Sequence, residues 1–262
     1  MKTLVYQVSV GKPSELYKHC IDSVKKYCWR HGFDHHVQTQ PILRIKPDPF
    51  TSNRSTESWQ KHGGFLPIYE KENAFDMMKD YDRLIIIDAD IYIREDAPNI
   101  LEDFDCNCAF AAVAEREMDI TDAYAHKIRN YSTMQYHNLA RKLDFKPNNY
   151  GYEFFNMGMI VINVEKFTPY LNGEDARTFI NRLEFKDFVD GIGNWKWSTD
   201  QTLLNYFLKK YKIPTRHLDG RWNGLYTAVN NIKDCHFVHF FLKDKLPNRG
   251  ENVDELMKAI DK

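Results

Sequence analysis

The sequence predicts an α/β fold in one domain, with a mainly parallel central sheet flanked by helices. Three observations carry that prediction. Leu84-Ile85-Ile86-Ile87 places four large aliphatics in a row, the pattern of a strand buried on both faces. Directly after a strand-like run at the N-terminus, apolar residues at 16, 17, 20, 21, 24, 27 and 28 keep helical spacing. Strand-like and helix-like segments then go on alternating over all 262 residues, with no internal repeat, low-complexity tract or linker.

In chain order, Leu4-Val5-Tyr6-Gln7-Val8-Ser9-Val10-Gly11 reads as the first strand and its turn. Pro13-Ser14 opens the first helix and Gly32 is placed to end it. A short strand over 34–39 completes a βαβ unit. Residues 40–64 are polar, hold three prolines and close on Gly63-Gly64, and read as a long loop. A helix over 65–80 leads into the aliphatic strand, taken through Ile93. Next come a strand over 108–114, one or two helices within the charged segment 115–150, and a strand over 154–164 that Gly158 interrupts. A helix over 178–189 precedes a loop carrying Trp195 and Trp197. An amphipathic helix over 198–211, a last strand over 235–242 and a terminal helix over 253–260 complete the chain.

Composition excludes some functions. Lys plus Arg number 36 and Asp plus Glu 37, so no electrostatic footprint for nucleic acid is present. Aromatics at 14% suit a thick core and a surface that stacks on rings. The five cysteines are scattered, and Cys106-Asn107-Cys108 is too tightly spaced for a zinc pair, so reduced thiols are expected. The N-terminus is too polar for a signal peptide and no run of eighteen apolar residues occurs. A cytoplasmic protein without a transmembrane segment is therefore expected, and the two glycosylation sequons at Asn53 and Asn130 carry no implication.

The chemistry gathers at Asp88-Ala89-Asp90. On an extended backbone residues i and i+2 share a side, which would set both carboxylates together at a strand's C-terminal end, where α/β sheets bind ligands. Two anions there repel each other and lose hydration. A hard divalent cation, Mg²⁺ or Mn²⁺, would offset that cost; plain capping or solvated acids are the alternative. Further on, His236-Phe237-Val238-His239 alternates so that both imidazoles are expected to face one way. A neutral His239 would suit Mn²⁺ as a third ligand, His236 reads as a core residue, and Lys245 could meet phosphate as a point charge. Ser198-Thr199-Asp200-Gln201 reads as a capping box, with Ser198 the N-cap and Gln201 reaching back.

Together, Asp88-Ala89-Asp90, Phe155-Asn156-Met157-Gly158-Met159, Asp200-Gln201, Trp222-Asn223 and His239-Phe240 with Lys245 resemble, in this order, the GT-A glycosyltransferases. The resemblance is closest to the family of glycogenin and the bacterial lipopolysaccharide galactosyltransferases, glycosyltransferase family 8. It implies a single GT-A (Rossmann-like) domain over 1–262: a nucleotide-binding half over 1–114, an acceptor-side half with metal and phosphate closure over 115–247, and a terminal helix over 248–262. It also implies transfer of a hexose from a nucleotide-sugar, UDP-glucose or UDP-galactose, to a saccharide or glycan hydroxyl with retention of configuration. Asp88, Asp90 and His239 would hold Mn²⁺ or Mg²⁺. Val8, Ser9, Val10, Lys71, Asp88, Asn156, Gly158, Asn223 and Lys245 would contact the donor or its nucleotide, and Gln201 and Asp200 would be catalytic.

Several positions depart from the family pattern. Met157 stands where Ser is usual, Leu242 where Gly is usual, Leu246-Pro247 replaces Pro-Trp, and Lys71 is offset by one position. Trp195, Trp197 and Trp222 are candidates for stacking on acceptor sugars, or core aromatics. The alternatives are a non-catalytic nucleotide-sugar or carbohydrate-binding protein of the same fold, and a haloacid-dehalogenase-type phosphatase, disfavoured by Tyr92 after the second Asp. A Gly-rich basic loop for nucleotidyl transfer and a dinucleotide fingerprint are both lacking.

Overall fold

The computed structural model describes residues 1–104 and 107–261; Cys106 lies outside the described residues. Thr3–Val8 forms β1, Glu15–His31 α1 and Asp34–Gln38 β2. Ser14 caps α1 by accepting from Tyr17 N, and Gly32 ends it in the left-handed conformation (φ 68°). Ser55–His62 is α2, Arg83–Ile87 β3, Ile91–Ile93 β4 and Phe110–Ala114 β5. Asp122–Tyr136 is α3, and a small hairpin of Pro147–Asn148 (β6) and Gly151–Tyr152 (β7) leads into Phe155–Asn163 (β8). The helices Val164–Leu171 (α4), Ala176–Ile180 (α5), Lys186–Asp190 (α6) and Asp200–Lys210 (α7) follow. Thr215–His217 (β9), Gly224–Leu225 (β10), Phe237–His239 (β11) and Val253–Ile260 (α8) close the chain.

Among the described residues, six strands make the central sheet in the order β2-β1-β3-β8-β5-β9. Five run one way and β8 runs against them, so the sheet is mainly parallel. The period-2 alternation of its strands divides the core into two layers. Leu84, Ile86, Ile160 and Ile162 pack with Phe75, Phe167, Phe179 and Phe207 on one face. Ile85, Ile87, Met159 and Val161 pack with Tyr27, Tyr136, Phe154 and Phe237 on the other. Burial on both faces explains why β3 carries an unbroken aliphatic run.

A second sheet, β10-β11-β4, stands beside the C-terminal end of β3 and pairs His239 with Ile91. The stretch expected as one strand from Leu84 to Ile93 is therefore two. The chain leaves the central sheet after Ile87, turns through Asp88–Asp90, and enters the second sheet at Ile91. Asp88 N still bonds Gly158 O (2.7 Å), and Asp88 O closes the turn onto Ile91 N (3.1 Å).

Other expectations are corrected by packing. The 40–64 loop contains α2, whose preceding Arg54 is only 8% exposed and donates to the carbonyls of Trp195, Lys196 and Ser198. The 65–80 helix is a pair of 3₁₀ segments, Pro67–Tyr69 and Lys71–Asp80. The 178–189 helix splits into α5 and α6, with a turn at 181–185 that buries Phe185. Gly158 does not interrupt β8, and the last strand shrinks to three residues. The short strands β6, β7, β9 and β10 carry no periodic signal and were not foreseen.

Where β9 meets the hairpin, Glu153 takes ion pairs from Arg116 (3.1 Å), Lys209 (3.4 Å) and His217 (3.4 Å). The His217 hydrogen bond and the neighbouring cations hold the Glu153 carboxyl down at about 2. The folded protein thus binds fewer protons than the unfolded chain between about pH 2 and 4.5, and its stability rises with pH across that window. His217, raised chiefly by its bond to Glu153, adds stability that is present at low pH and fades as pH climbs through its raised value. Glu153→Gln should flatten both slopes in urea melts recorded from pH 2 to 8.

Candidate active site

At the C-terminal ends of β1 and β3 lies a cleft of about 570 Å³, walled by Val8, Ser9, Val10, Tyr17, Lys71, Asp88, Asp90, Asp200 and Lys243. Lys71 occupies its floor. The ammonium donates to Asp88 Oδ1 (2.8 Å) and Met157 O (3.0 Å) and pairs with Asp200 Oδ2 (2.7 Å). Two of its N–H groups are thereby hydrogen-bonded, and the pairing with Asp200 is by charge and distance. Burial would lower its pKa, but Asp200 and Asp88 together hold it well above the ordinary lysine value.

The turn aims Asp88 and Asp90 at His239 on β11. Nε2 of His239 lies 3.2 Å from Asp90 Oδ1 and 3.8 Å from Asp88 Oδ2. One ligand atom from each residue falls within 4.8 Å of the other two. Burial raises the Asp88 carboxyl, with Lys71 opposing the shift. At Asp90, burial acts the same way but the charge and hydrogen bond of His239 outweigh it, and the carboxyl sits below its usual range. His239 is raised in turn, Asp90 overcoming the burial of the ring.

These residues fit a divalent cation. Asp88, Asp90 and Asp200 carry three negative charges against the single positive charge of Lys71, so with a neutral imidazole two charges remain. Two carboxylate oxygens and one imidazole nitrogen form the mixed donor set that Mn²⁺ accepts and Mg²⁺ tolerates less readily. Glu72 crowds the same region, 1% exposed and with both oxygens lacking a hydrogen-bond partner. Burial, then the charge of Asp200, pushes its carboxyl well above the ordinary carboxylate range.

Gly158 makes the convergence possible. A Cβ at this position would collide with His239 Cε1 and lie 2.6 Å from Nδ1. Asn156, two residues earlier, accepts from Gly158 N (2.9 Å) and from Asn223 Nδ2 (2.8 Å) through Oδ1. Asn223 Oδ1 in turn meets His239 Nδ1 at 3.0 Å. Expected at the donor, Asn156 and Asn223 are 7% and 0% exposed and have their amides turned inward.

The α7 N-terminus is capped by Thr199, not Ser198: Thr199 Oγ1 accepts from Gln201 N (3.2 Å), while Ser198 Oγ is buried without a partner. Gln201 does not reach back. Its Oε1 accepts from Met157 N (3.2 Å) and its Nε2 donates to Tyr131 OH (3.3 Å). His236 and His239, expected on one side, diverge because an odd spacing of three puts them on opposite faces of a strand; the His236 ring lies against Trp222 at 4.9 Å.

Two further expectations shift. Lys243 lines the cleft and Lys245 does not, because the chain turns through Leu242 in the left-handed region (φ 57°) before both lysines. Trp222 is 1% exposed and donates to Asp103 (2.8 Å), and Trp195 packs on Phe188, which leaves Trp197 as the exposed tryptophan of the three. Lys243, Tyr17 and Glu72 were missed: Lys243 is masked by Lys245 in the same turn, and the other two carry no local signal.

Gly158→Ala should displace the imidazole and destabilise the protein by about 1–3 kcal/mol through overpacking. Denaturant unfolding measures the loss, and a chemical-shift change at His239 locates it.

Residues 35–245 match the family model described as Glycosyl transferase family 8. No curated protein sequence matches the chain. Among solved structures, a glycosyltransferase involved in glycosylating the major capsid of PBCV-1 superposes with a TM-score of 0.55 at 14% identity, covering 99% of this chain and 100% of that one. LgtC, as an active-site mutant, gives 0.54 at 14% identity over 98% and 95% of the two chains. The galactosyltransferase LgtC in complex with donor and acceptor sugar analogues gives 0.52 at 14% identity over 98% and 94%.

Proposed function

The chain belongs to glycosyl transferase family 8 and is a glycosyltransferase of the GT-A fold; on that premise we propose that it moves a hexose from a UDP-sugar, UDP-glucose or UDP-galactose, to a saccharide or glycan hydroxyl, with Mn²⁺ or Mg²⁺ and with retention. The observation that carries the proposal is the convergence of Asp88, Asp90 and His239 Nε2 at the mouth of a cleft that also holds Lys243. These three side chains would be the metal ligands. A bound cation supplies charge neutralisation for the leaving diphosphate.

The other residues act on position and charge. Lys71 ties Asp88 to Asp200 and so keeps one carboxylate for the metal and the other facing the cleft. Lys243 replaces Lys245 as the lysine suited to the diphosphate, and Val8, Ser9 and Val10 form the wall suited to the base. Asp200 is suited to stabilise an oxocarbenium-like centre, beside Gln201, whose amide is anchored at both ends. The acceptor hydroxyl would then attack the anomeric carbon on the face from which the diphosphate departs, which retains the configuration. Its proton would pass to the departing diphosphate oxygen as the carbon–oxygen bond to the diphosphate breaks.

For the acceptor we propose the side of the cleft next to Trp197, which is 58% exposed and borders a cavity of about 260 Å³ with Glu57, His62, Ile68 and Thr199. Residues 1–114 would bind the nucleotide, 115–247 would face the acceptor and close on metal and phosphate, and 248–262 would form the terminal helix. Among the described residues no helix is long and apolar enough to cross a membrane. We propose a cytoplasmic location, which suits the buried thiols of Cys20, Cys28 and Cys235.

Incubation with Mn²⁺ and a panel of nucleotide-sugars should release UDP from a UDP-hexose, and faster with a saccharide acceptor present. Donor binding without release, across all acceptors, would leave only a binding protein. Asp90→Asn should weaken Mn²⁺-dependent donor binding by about 100-fold or more while the melting temperature barely moves; unchanged donor affinity in calorimetry would remove Asp90 from the metal set.

A further inference from the structure

A metal-ligating histidine needs its lone pair on the nitrogen that faces the metal, and its other nitrogen sets that tautomer. Here the other nitrogen opens onto a run of buried side chains. His239 Nδ1 meets Asn223 Oδ1 (3.0 Å), Asn223 Nδ2 donates to Asn156 Oδ1 (2.8 Å), and Asn156 Nδ2 donates to Glu115 Oε2 (2.9 Å). Tyr124 OH donates to the remaining Glu115 oxygen, Oε1. Glu115, Asn156, Asn223 and His239 are each 7% exposed or less.

The direction of this chain is fixed by two groups that cannot reverse. A carboxylate only accepts, so Asn156 must turn its NH₂ toward Glu115. The backbone N–H of Gly158 only donates, 2.9 Å from Asn156 Oδ1, and enforces the same orientation. Asn156 therefore offers an oxygen to Asn223, Asn223 must answer with its NH₂, and its own oxygen is left to His239. That oxygen can be satisfied only by a proton on Nδ1.

We propose that Glu115, Asn156 and Asn223 are positioning residues that hold His239 as the Nδ1–H tautomer, with the Nε2 lone pair directed at the gap shared with Asp88 and Asp90. Asp90, 3.2 Å from Nε2, pulls the other way by offering an acceptor for a proton there. The buried chain opposes that pull and keeps the ring ready to ligate before any cation arrives. This rests on the metal reading above. It reassigns Asn156 and Asn223 from the donor sugar to the histidine, and it brings in Glu115, which no sequence motif marks.

The test uses the full chain and two readouts. Long-range ¹H–¹⁵N spectra of the metal-free protein, at a pH where the ring is neutral, should show His239 as Nδ1–H, and Asn156→Ala should introduce the Nε2–H form. In Mn²⁺ titrations followed by electron paramagnetic resonance, Asn156→Ala and Glu115→Ala should each weaken binding by about 10- to 100-fold, with the double variant little worse than the weaker single one. Glu115→Gln can still accept from Asn156 and donate to Tyr124, and should stay within about threefold of the unaltered protein. It also serves as the comparison if Glu115→Ala fails to fold. A single Nδ1–H tautomer in Asn156→Ala, additive losses, or a Glu115→Gln as weak as Asn156→Ala would overturn the proposal. Absence of Mn²⁺ binding by the unaltered protein would instead overturn the metal reading, and the tautomer spectra would still decide the positioning role.

Discussion

Everything in the cleft follows from one electrostatic constraint: three carboxylates are gathered at the end of β3 with a single ammonium between them. Lys71 is what makes the arrangement foldable. It sits at the start of a 3₁₀ segment whose next residues, Glu72 to Phe75, are buried, which anchors the lysine backbone beside the carboxylates. Removing one partner of such a buried set is far more damaging than exchanging the whole set, because it strands an uncompensated charge. The residual negative charge faces the open mouth of the cleft, with the His239 imidazole against Asp90 and Lys243 on the cleft wall. That balance is what favours the proposed cation over a site closed by protein groups alone.

The same constraint accounts for the two-sheet architecture. Had the chain run on as one strand, Asp88 and Asp90 would share a face, but the pairing with β11 that brings the His239 imidazole to them would be lost. Turning after Ile87 lets Ile91–Ile93 pair with β11, and that pairing sets His239 opposite Ile91 within reach of both carboxylates. The backbone therefore delivers the His239 imidazole to the two carboxylates through sheet register, which is strongly specified where a strand is buried.

Much of this was legible in the sequence where the signal is periodic or chemical. The aliphatic run of β3, the α1 caps and the trio Asp88, Asp90 and His239 all stand where their residue types require. Less was legible where competition decides the outcome. Gly158 looks like a strand breaker by propensity, yet its lack of a Cβ admits an imidazole that lies far away in sequence. Ser198 reads as the cap on paper, but its hydroxyl is buried without a partner and Thr199 takes the role. Lys243 and Lys245 cannot be ranked by spacing, because Leu242 adopts a left-handed conformation that only the folded turn imposes. Trp222, open in sequence to sugar stacking or to the core, belongs to the second layer of the core.

The displaced cap has a consequence for Gln201. As the third residue of a capping box it would be bound to its own helix end, and its presence beside Asp200 would be a matter of stability alone. With Thr199 in the capping role, the Gln201 amide is released to bridge β8 and α3 through Met157 N and Tyr131 OH. The α7 N-terminus is thus locked against the strand that carries Gly158, and the positive helix end lies beside Asp200. On the far side, Arg54 binds the 195–198 loop through three carbonyls and fixes α2 as a wall beside Trp197. Asp200 consequently sits between two surfaces that do not share a backbone segment, one organised by β8 and the other by α2. For the proposed transfer between two sugars that separation would be useful: a donor side could be held rigid by β8 and α7 while an acceptor side is shaped by a different part of the chain.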